Sequence, residues 1–287
     1  MKYNICSISF RHELVSFREL IRFAHDIGFA GIELWGVHAR SLKNAHRANV
    51  AAVVAELAER GLCVSMISDY VDLHAAPTHY PSVLAKLDDL IALAREFGTD
   101  KIRIFAGSRG SATATPVEWQ LAVKRLRQMA ERTQEHGIQL VIETHPETYA
   151  DSLASTMRLL AEVDHPSLRV NVDFLHVWEA GDDLMPAYRT LQPYAVNYHF
   201  KNVSQRSALG VFAPLNVYSP NGTREGITRL ADGAIDFVEV VRTLTADETP
   251  YSASIEWFGP QPFDALQREL AWLRDVESRV LSAEAVK

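Results

Sequence analysis

The chain has 287 residues, 47% of them hydrophobic, with a formal net charge of -7 and a pI near 5.9. That acidic balance argues against electrostatic docking onto nucleic acid or an anionic membrane, since both need a cationic footprint. The length suits one large core, and no apolar run reaches the roughly 18 residues that a membrane span requires.

In chain order, strand-like runs are expected at residues 3-10, 31-36, 62-70, 101-107, 138-145, 168-176, 195-202 and 251-258. Between them the apolar spacing is helical, as in SFRELIRFAHDIG, NVAAVVAELAERG, YPSVLAKLDDLIALAREFG and VEWQLAVKRLRQMAERTQEHG. Each of these stretches closes on Gly, which takes left-handed backbone without a Cβ clash. Strands alternating with helices predict an α/β fold, a single parallel (β/α)8 TIM barrel whose strands run apolar because both faces are buried. A doubly wound open sheet is disfavoured, because SFRHEL and not a Gly-rich phosphate loop follows the first strand. Cys6 and Cys63 each fall inside an apolar run and are expected to be buried, reduced thiols. With a first strand starting near Tyr3 and no leader expected before it, the cytoplasm is the expected location.

The rhythm breaks between His199 and Glu256. A connection this long in a compact domain is usually functional, so residues at about 203-235 are expected to fold over the mouth that carries His199. The whole chain, 1-287, is expected to form one domain, fraying after about Leu281.

Four residues, Glu143, Asp173, His199 and Glu256, stand at or near the ends of QLVIETH, LRVNVDFLH, VNYHFKN and SASIEWF. Catalytic groups of such barrels come from the C-terminal strand ends, so the four side chains are expected to converge on one mouth. Taken singly, each reads as an ordinary polar residue; at the same end of four successive strands they read as a divalent-metal site. Three carboxylates and one imidazole suit Mn2+ or Mg2+, with Co2+ possible, better than a structural zinc. Such a centre supports the negative charge of an enolate formed by proton removal beside a carbonyl.

The base has to come from nearby. His145 lies two residues beyond Glu143, shares its inward face and can take a proton near neutral pH. His176 follows Asp173 by three residues, where the chain begins to turn. Either histidine also reads as a partner that orients the carboxylates. Arg103 alternates with Ile102 and Ile104 and so faces the barrel interior, where an unpaired guanidinium is costly. Its anion is either a protein carboxylate such as Glu33 or a substrate carboxylate gripped bidentately. Lys201, two beyond His199, is a clamp on an oxyanion, a general acid or a cap on the strand end. Tyr70, Trp178, Tyr218, Trp257 and Phe258 cluster at the same edges and suit a wall around a six-membered ring.

The ligand pattern, with the segment LADGAIDF, resembles the xylose-isomerase-like barrels, the superfamily of sugar isomerases, epimerases and endonuclease IV. Within it, SISFRHEL, GFAGIELWGVHA, SMISDYVDL, DKIRIFAG, IETHPET, EVDHPSLRVNVDFLHVWEAG, YHFKN, LNVYSPNGTREG and SIEWFG resemble the 3-dehydroshikimate dehydratases of petrobactin siderophore biosynthesis, from about residue 1 to 260. The resemblance implies elimination of water from 3-dehydroshikimate through an enediolate, giving 3,4-dihydroxybenzoate (protocatechuate), with one divalent metal ion as cofactor. The product would serve siderophore assembly or quinate and shikimate catabolism. The resemblance further implies that Glu143, Asp173, His199 and Glu256 hold the metal, and that Tyr70, Arg103, His145, His176, Lys201, Tyr218 and Phe258 line the pocket. His145, His176 and Lys201 then divide the acid and base work. The implied partner is a small-molecule carboxylate, with no nucleic acid and no membrane, and the barrel acts as a monomer or homodimer. The alternative is a ketose 3-epimerase or sugar (acid) isomerase, which returns the proton instead of expelling hydroxide. A neutral sugar has no need of Arg103 and Lys201 as anion partners, whereas a sugar phosphate or sugar acid could use them. A DNA-repair enzyme of the endonuclease IV kind needs a basic face, which the acidic balance opposes.

Overall fold

The computed structural model describes residues 1-45, 50-247 and 251-284. Among them, strands β1 (Lys2–Cys6), β2 (Gly31–Trp35), β3 (Cys63–Ser68), β4 (Lys101–Phe105), β5 (Gln139–Glu143), β6 (Leu168–Asp173), β7 (Ala195–Phe200) and β10 (Ser252–Ile255) close into a barrel in which every neighbouring pair is parallel. The two remaining strands, β8 (Asn202–Val203) and β9 (Ile227–Thr228), form a short antiparallel pair within the long connection.

Helices α1 (Phe17–Ile27), α2 (Gly36–Asn44), α3 (Val50–Glu59), α4 (Tyr80–Phe97), α5 (Pro116–Gln134), α6 (Leu153–Val163), α7 (Phe174–Ala180), α8 (Leu184–Leu191), α9 (Pro214–Val217), α10 (Phe237–Ala246) and α11 (Pro262–Glu284) complete the chain. The sequence states where several of them begin. Ser16 with Glu19 and Thr115 with Glu118 form reciprocal capping boxes, and Pro116 supplies a preset φ at the first turn of α5. Two of the expected Gly stops are the caps themselves, Gly28 and Gly98 closing α1 and α4 at φ values of 91° and 70°, where a Cβ would be strained; α5 is instead capped by Glu135, with Gly137 in the turn beyond it.

The strands are shorter than the apolar runs. The first ends at Cys6, and Ser7–Phe10 forms a 3-10 turn; the sixth ends at Asp173, which caps α7 directly. Apolar residues past the last ladder bond stay buried, as Ile8 and Phe10 do after β1 and Phe174 and Leu175 after β6. Two irregularities in register matter for the site. Between Val170 and Asn171 the β6–β7 pairing slips, which sets Asp173 opposite His199. Between Ile32 and Glu33 the β2–β3 pairing slips as well.

Cys6 is buried as expected, but Cys63 is exposed. It is the first residue of β3 and pairs with Gly31, which has no side chain to cover it. The helix α11 continues past Leu281 to Glu284, so the expected fraying does not begin there; residues 285-287 lie outside the described residues.

Candidate active site

At the C-terminal mouth of the barrel, β5, β6 and β7 deliver Glu143, Asp173 and His199, and the residue just after β10 delivers Glu256. One ligand-type atom from each lies within 4.8 Å of the others, and all four residues are buried. His199 Nδ1 faces the three carboxylates, at 3.3 Å from Glu143 Oε1, 3.7 Å from Glu256 Oε2 and 3.8 Å from Asp173 Oδ2. Asp173 divides its two oxygens. Oδ1 accepts from the backbone N–H groups of Leu175 and His176 at the start of α7, at 2.9 and 3.3 Å, and this turns Oδ2 to the cluster. Thr144 Oγ pins the same residue by accepting from Asp173 N at 2.8 Å.

Two cations stand among these acids. Lys201 Nζ lies 2.7 Å from both Asp173 Oδ2 and Glu256 Oε2, and Arg103 Nε lies 2.9 Å from Glu143 Oε2. Burial works against the charge on Glu143, yet Arg103 and His199 outweigh it and hold the carboxyl well below the usual carboxylate range. Burial likewise opposes charge on Lys201, but Asp173 and Glu256 raise its pKa, so the ammonium is a fixed charge. The expected protein partner of Arg103, Glu33, is not the one it takes: Glu143 pairs with the guanidinium, and Glu33 turns to His199. The two acids sit on different sides of Arg103, and the adjacent strand β5 brings Glu143 closer.

The donor set fits a divalent cation on three grounds. Its chemistry is oxygen-rich with one imidazole, as hard or borderline divalent ions prefer. Glu143 Oε2 and Asp173 Oδ2 are buried without a well-aligned hydrogen bond, although a cation stands beside each. Finally, four buried carboxylates, those of Glu33, Glu143, Asp173 and Glu256, face two fixed cations, Arg103 and Lys201, and one divalent ion would neutralise the remainder.

Above the donors is a cavity of about 50 Å³. Tyr70, Arg103, Glu143, His145, His176, Lys201, Tyr218, Glu256 and Phe258 all line it, whereas Asp173 and His199 lie beneath with no exposure. Larger hollows of about 430 and 930 Å³ open at the opposite end of the barrel and between α4 and α5, but neither brings together a comparable donor set. Trp178 and Trp257 do not reach the cavity. Trp178 stacks under Arg206 at 4.2 Å, and the Trp257 indole donates to Pro260 O. Their places are taken by Phe105 and Phe212, which the strand pattern did not single out.

The two histidines are fixed by different partners. His145 Nδ1 lies 2.8 Å from Pro146 O, which can only accept, so Nδ1 carries the hydrogen and Nε2 keeps its lone pair. The ring lies 4.1 Å from Phe105 and 4.4 Å from His176 between centroids. Burial, and then His176, pushes its pKa well below the ordinary histidine value. His176 Nδ1 is held at 2.7 Å by Glu179 Oε2, and its Nε2 is buried without a hydrogen-bond partner, 3.8 Å from Asp173 Oδ2. Glu179 escaped the sequence reading, although its i,i+3 spacing from His176 on one helical turn is the signal that finds it.

Residues of the long connection roof the cavity. Phe212, Pro214, Val217 and Tyr218 line it from above. Tyr218 Oη lies 2.7 Å from Tyr70 Oη, and its ring stacks on Trp35 at 5.9 Å. Arg11 donates to Val217 O and Phe258 O, at 2.7 and 3.1 Å, and so ties the roof to the rim.

A parallel barrel with this donor set at its C-terminal mouth is the architecture matched over residues 21–276 by the model of the xylose isomerase-like TIM barrel. The chain belongs to that family. Within it, the chain is 40% identical over 283 residues to 3-dehydroshikimate dehydratase of Bacillus anthracis, covering 99% of this chain and 100% of that one. It is also similar to the solved structure of the probable 3-DHS dehydratase AsbF involved in petrobactin synthesis from Bacillus anthracis, with a TM-score of 0.92, 41% identity, and coverage of 96% of this chain and 99% of that one. The structure of L-ribulose 3-epimerase matches with a TM-score of 0.79 and 17% identity, covering 100% of this chain and 98% of the other, and shares the fold alone.

Proposed function

We propose that this chain is a 3-dehydroshikimate dehydratase, a hydro-lyase that converts 3-dehydroshikimate into 3,4-dihydroxybenzoate. The full-length likeness to an enzyme of that name supports the reading, and one observation in the site carries it. Arg103 lines the cavity with Nη1 buried and without a hydrogen-bond partner. A buried guanidinium nitrogen left this way calls for an anionic ligand, and a ring carboxylate supplies it.

Glu143, Asp173, His199 and Glu256 would hold a divalent cation, Mn2+ or Mg2+ by the hardness of the donors, which lends positive charge to a ketone oxygen as proton loss makes it anionic. The residues of the chain do the rest. Arg103 anchors the carboxylate and turns the ring so that its C4 hydrogen meets His145. His145 Nε2 takes that proton, being neutral and fixed in the right tautomer by Pro146 O. The hydroxyl at C5 then leaves as water, with a proton returned from the His145–His176 pair or from Lys201. Loss of the C6 proton and protonation of the C3 oxygen complete the aromatic ring. Phe105, Phe258 and the roof residues exclude bulk water, which strengthens each charge contact inside. We read residues 1-287 as a single barrel domain, with the connection at 203-235 as its cover, acting in a reducing cytoplasm as a monomer or homodimer.

The epimerase reading shares the proton abstraction. It loses because Arg103 and Lys201 place two cations around the ring, where a neutral sugar offers nothing to pair with Arg103. The assay is direct: treat the protein with chelator, restore Mn2+ or Mg2+, add 3-dehydroshikimate and follow the ultraviolet absorbance of a catechol acid. Metal-dependent product is expected; no product, with epimerisation of a ketose by the same sample, would overturn the proposal.

A further inference from the structure

Glu33 is carried by β2, a strand that supplies none of the four converging donors, and it is fully buried. A carboxylate in such a place costs several kcal/mol in lost hydration unless it is well paired. Its partner is His199: Nε2 lies 2.9 Å from Oε2 and 3.1 Å from Oε1. A second contact braces it from the neighbouring strand, where Ser68 Oγ donates a short hydrogen bond to Oε1. The slip in β2–β3 register falls immediately before Glu33, and such irregularities re-aim a side chain relative to its strand.

The geometry divides the imidazole cleanly. An ionised carboxylate only accepts, so the nitrogen facing Glu33 carries hydrogen. That leaves Nδ1 facing Glu143, Asp173 and Glu256. A ring flip would put a carbon where each nitrogen stands, leaving Glu33 without its imidazole donor and with Ser68 Oγ as the donor that remains on Oε1. Glu33 is not spent on Arg103, which takes Glu143 instead.

We infer that Glu33, braced by Ser68, is a positioning residue that locks the ring orientation and tautomer of His199, so that Nδ1 is the metal donor. The carboxylate also strengthens that donor, as acceptors behind ligating histidines do. The inference rests on the metal reading of the four donors, and it makes Glu33 the fourth carboxylate in the charge balance of the site.

The test measures metal binding, not turnover. Chelator-stripped wild type, Glu33→Gln, Glu33→Ala and Ser68→Ala are titrated with MnCl2 while free Mn2+ is read by electron paramagnetic resonance, after circular dichroism has checked the fold of each. Loss of the acceptor in Glu33→Ala is expected to weaken binding roughly 10- to 100-fold. Glu33→Gln, whose amide oxygen still accepts from Nε2, is expected to stay within a few-fold of wild type, and Ser68→Ala to lose a few-fold. In protein labelled with 15N-histidine and loaded with Mg2+, His199 of wild type is expected to keep hydrogen on Nε2, whereas Glu33→Ala loses that fixed pattern. A folded Glu33→Ala that binds Mn2+ as tightly as wild type overturns the inference, as does a wild type whose Nε2 loses its hydrogen to metal. If Glu33→Ala does not fold, Ser68→Ala decides, and unchanged affinity there overturns it too. A wild type that binds no Mn2+ removes the metal reading itself, which is a different failure from equal binding by both proteins.

Discussion

Arg103 and Glu143 face each other on adjacent strands, Nε to Oε2 at 2.9 Å and both buried, yet the Nη1 of the same guanidinium has no hydrogen-bond partner. One edge of the arginine is thus spent on Glu143, while Nη1 is buried with no hydrogen-bond acceptor and the guanidinium lies over the Tyr70 and Phe105 rings. If Arg103 takes the substrate carboxylate as proposed, the pairing would tie capture to the donor set, because whatever moves the guanidinium also moves the charge beside Glu143.

Arg103→Lys keeps the charge and loses the fork. The lost charge-assisted hydrogen bond is worth about 1.5 to 3 kcal/mol, so kcat/KM for 3-dehydroshikimate is expected to fall roughly 10- to 100-fold, mostly through KM. Steady-state kinetics checks it; unchanged KM would remove the carboxylate role. Arg103→Ala, by contrast, leaves Glu143 buried without its counter-ion and is expected to cost about 3 to 5 kcal/mol in denaturant unfolding.

His145→Ala is expected to lower kcat on the order of 10²- to 10⁴-fold while leaving the fold intact. Glu179 holds the neighbouring ring of His176. Glu179→Gln preserves an acceptor for Nδ1 and should change kcat little, whereas Glu179→Ala frees the ring and should lower it by about tenfold or more. Normal turnover in His145→Ala, with collapse in His176→Ala, would transfer the base to His176.

Chelation should abolish activity and lower the melting temperature together, since Arg103 and Lys201 offset only two of the four buried carboxylates. A ligand at a thousand times its dissociation constant adds about 4 kcal/mol, so re-added Mn2+ should restore both in a concentration-dependent way. Calorimetry with and without Mn2+ reads it, and a melting temperature indifferent to the ion would count against the site.

Glu269 on α11 gives the stability a pH dependence separate from catalysis. It is buried and accepts from Leu230 N, and burial pushes its pKa up to about 7 from 4.5. The folded state therefore holds this proton more tightly than the unfolded chain. The associated stability is fully present below pH 4.5 and is lost as pH rises through 7, by roughly 3 kcal/mol in all. Urea midpoints at pH 5 and pH 8 should differ in that sense for wild type, and Glu269→Gln should remove that part of the difference. An unchanged difference would mean that the folded pKa is not raised.

The cavity of about 50 Å³ is small for a ring acid, and the roof residues Phe212, Pro214, Val217 and Tyr218 are expected to move aside for substrate. Arg11 is one tie on that segment. Arg11→Met is expected to raise KM several-fold and to speed proteolysis within that segment; cleavage at the wild-type rate would show that other contacts hold the roof.

The sequence by itself determined the barrel and most of the constellation. Period-two alternation put Arg103 on the inner face, the ends of apolar runs located Glu143, Asp173, His199 and Glu256, and the spacing of two placed His145 beside Glu143. Chain-local signals suffice there, because which face a strand residue takes depends on its own strand. What the tertiary structure decided was who meets whom. Glu33 sits in GIELW with the same alternation as Arg103, yet the two do not pair; closure of the barrel sets Glu33 against His199, while the regular pairing of the adjacent strands β4 and β5 brings Glu143 to Arg103. Phe105 at the end of β4 and Phe212 in the long connection line the cavity, whereas Trp178 on α7 packs against Arg206 and the Trp257 indole turns to Pro260 O. Local periodicity fixes direction, whereas distance across a barrel follows from shear and closure, which no single strand encodes.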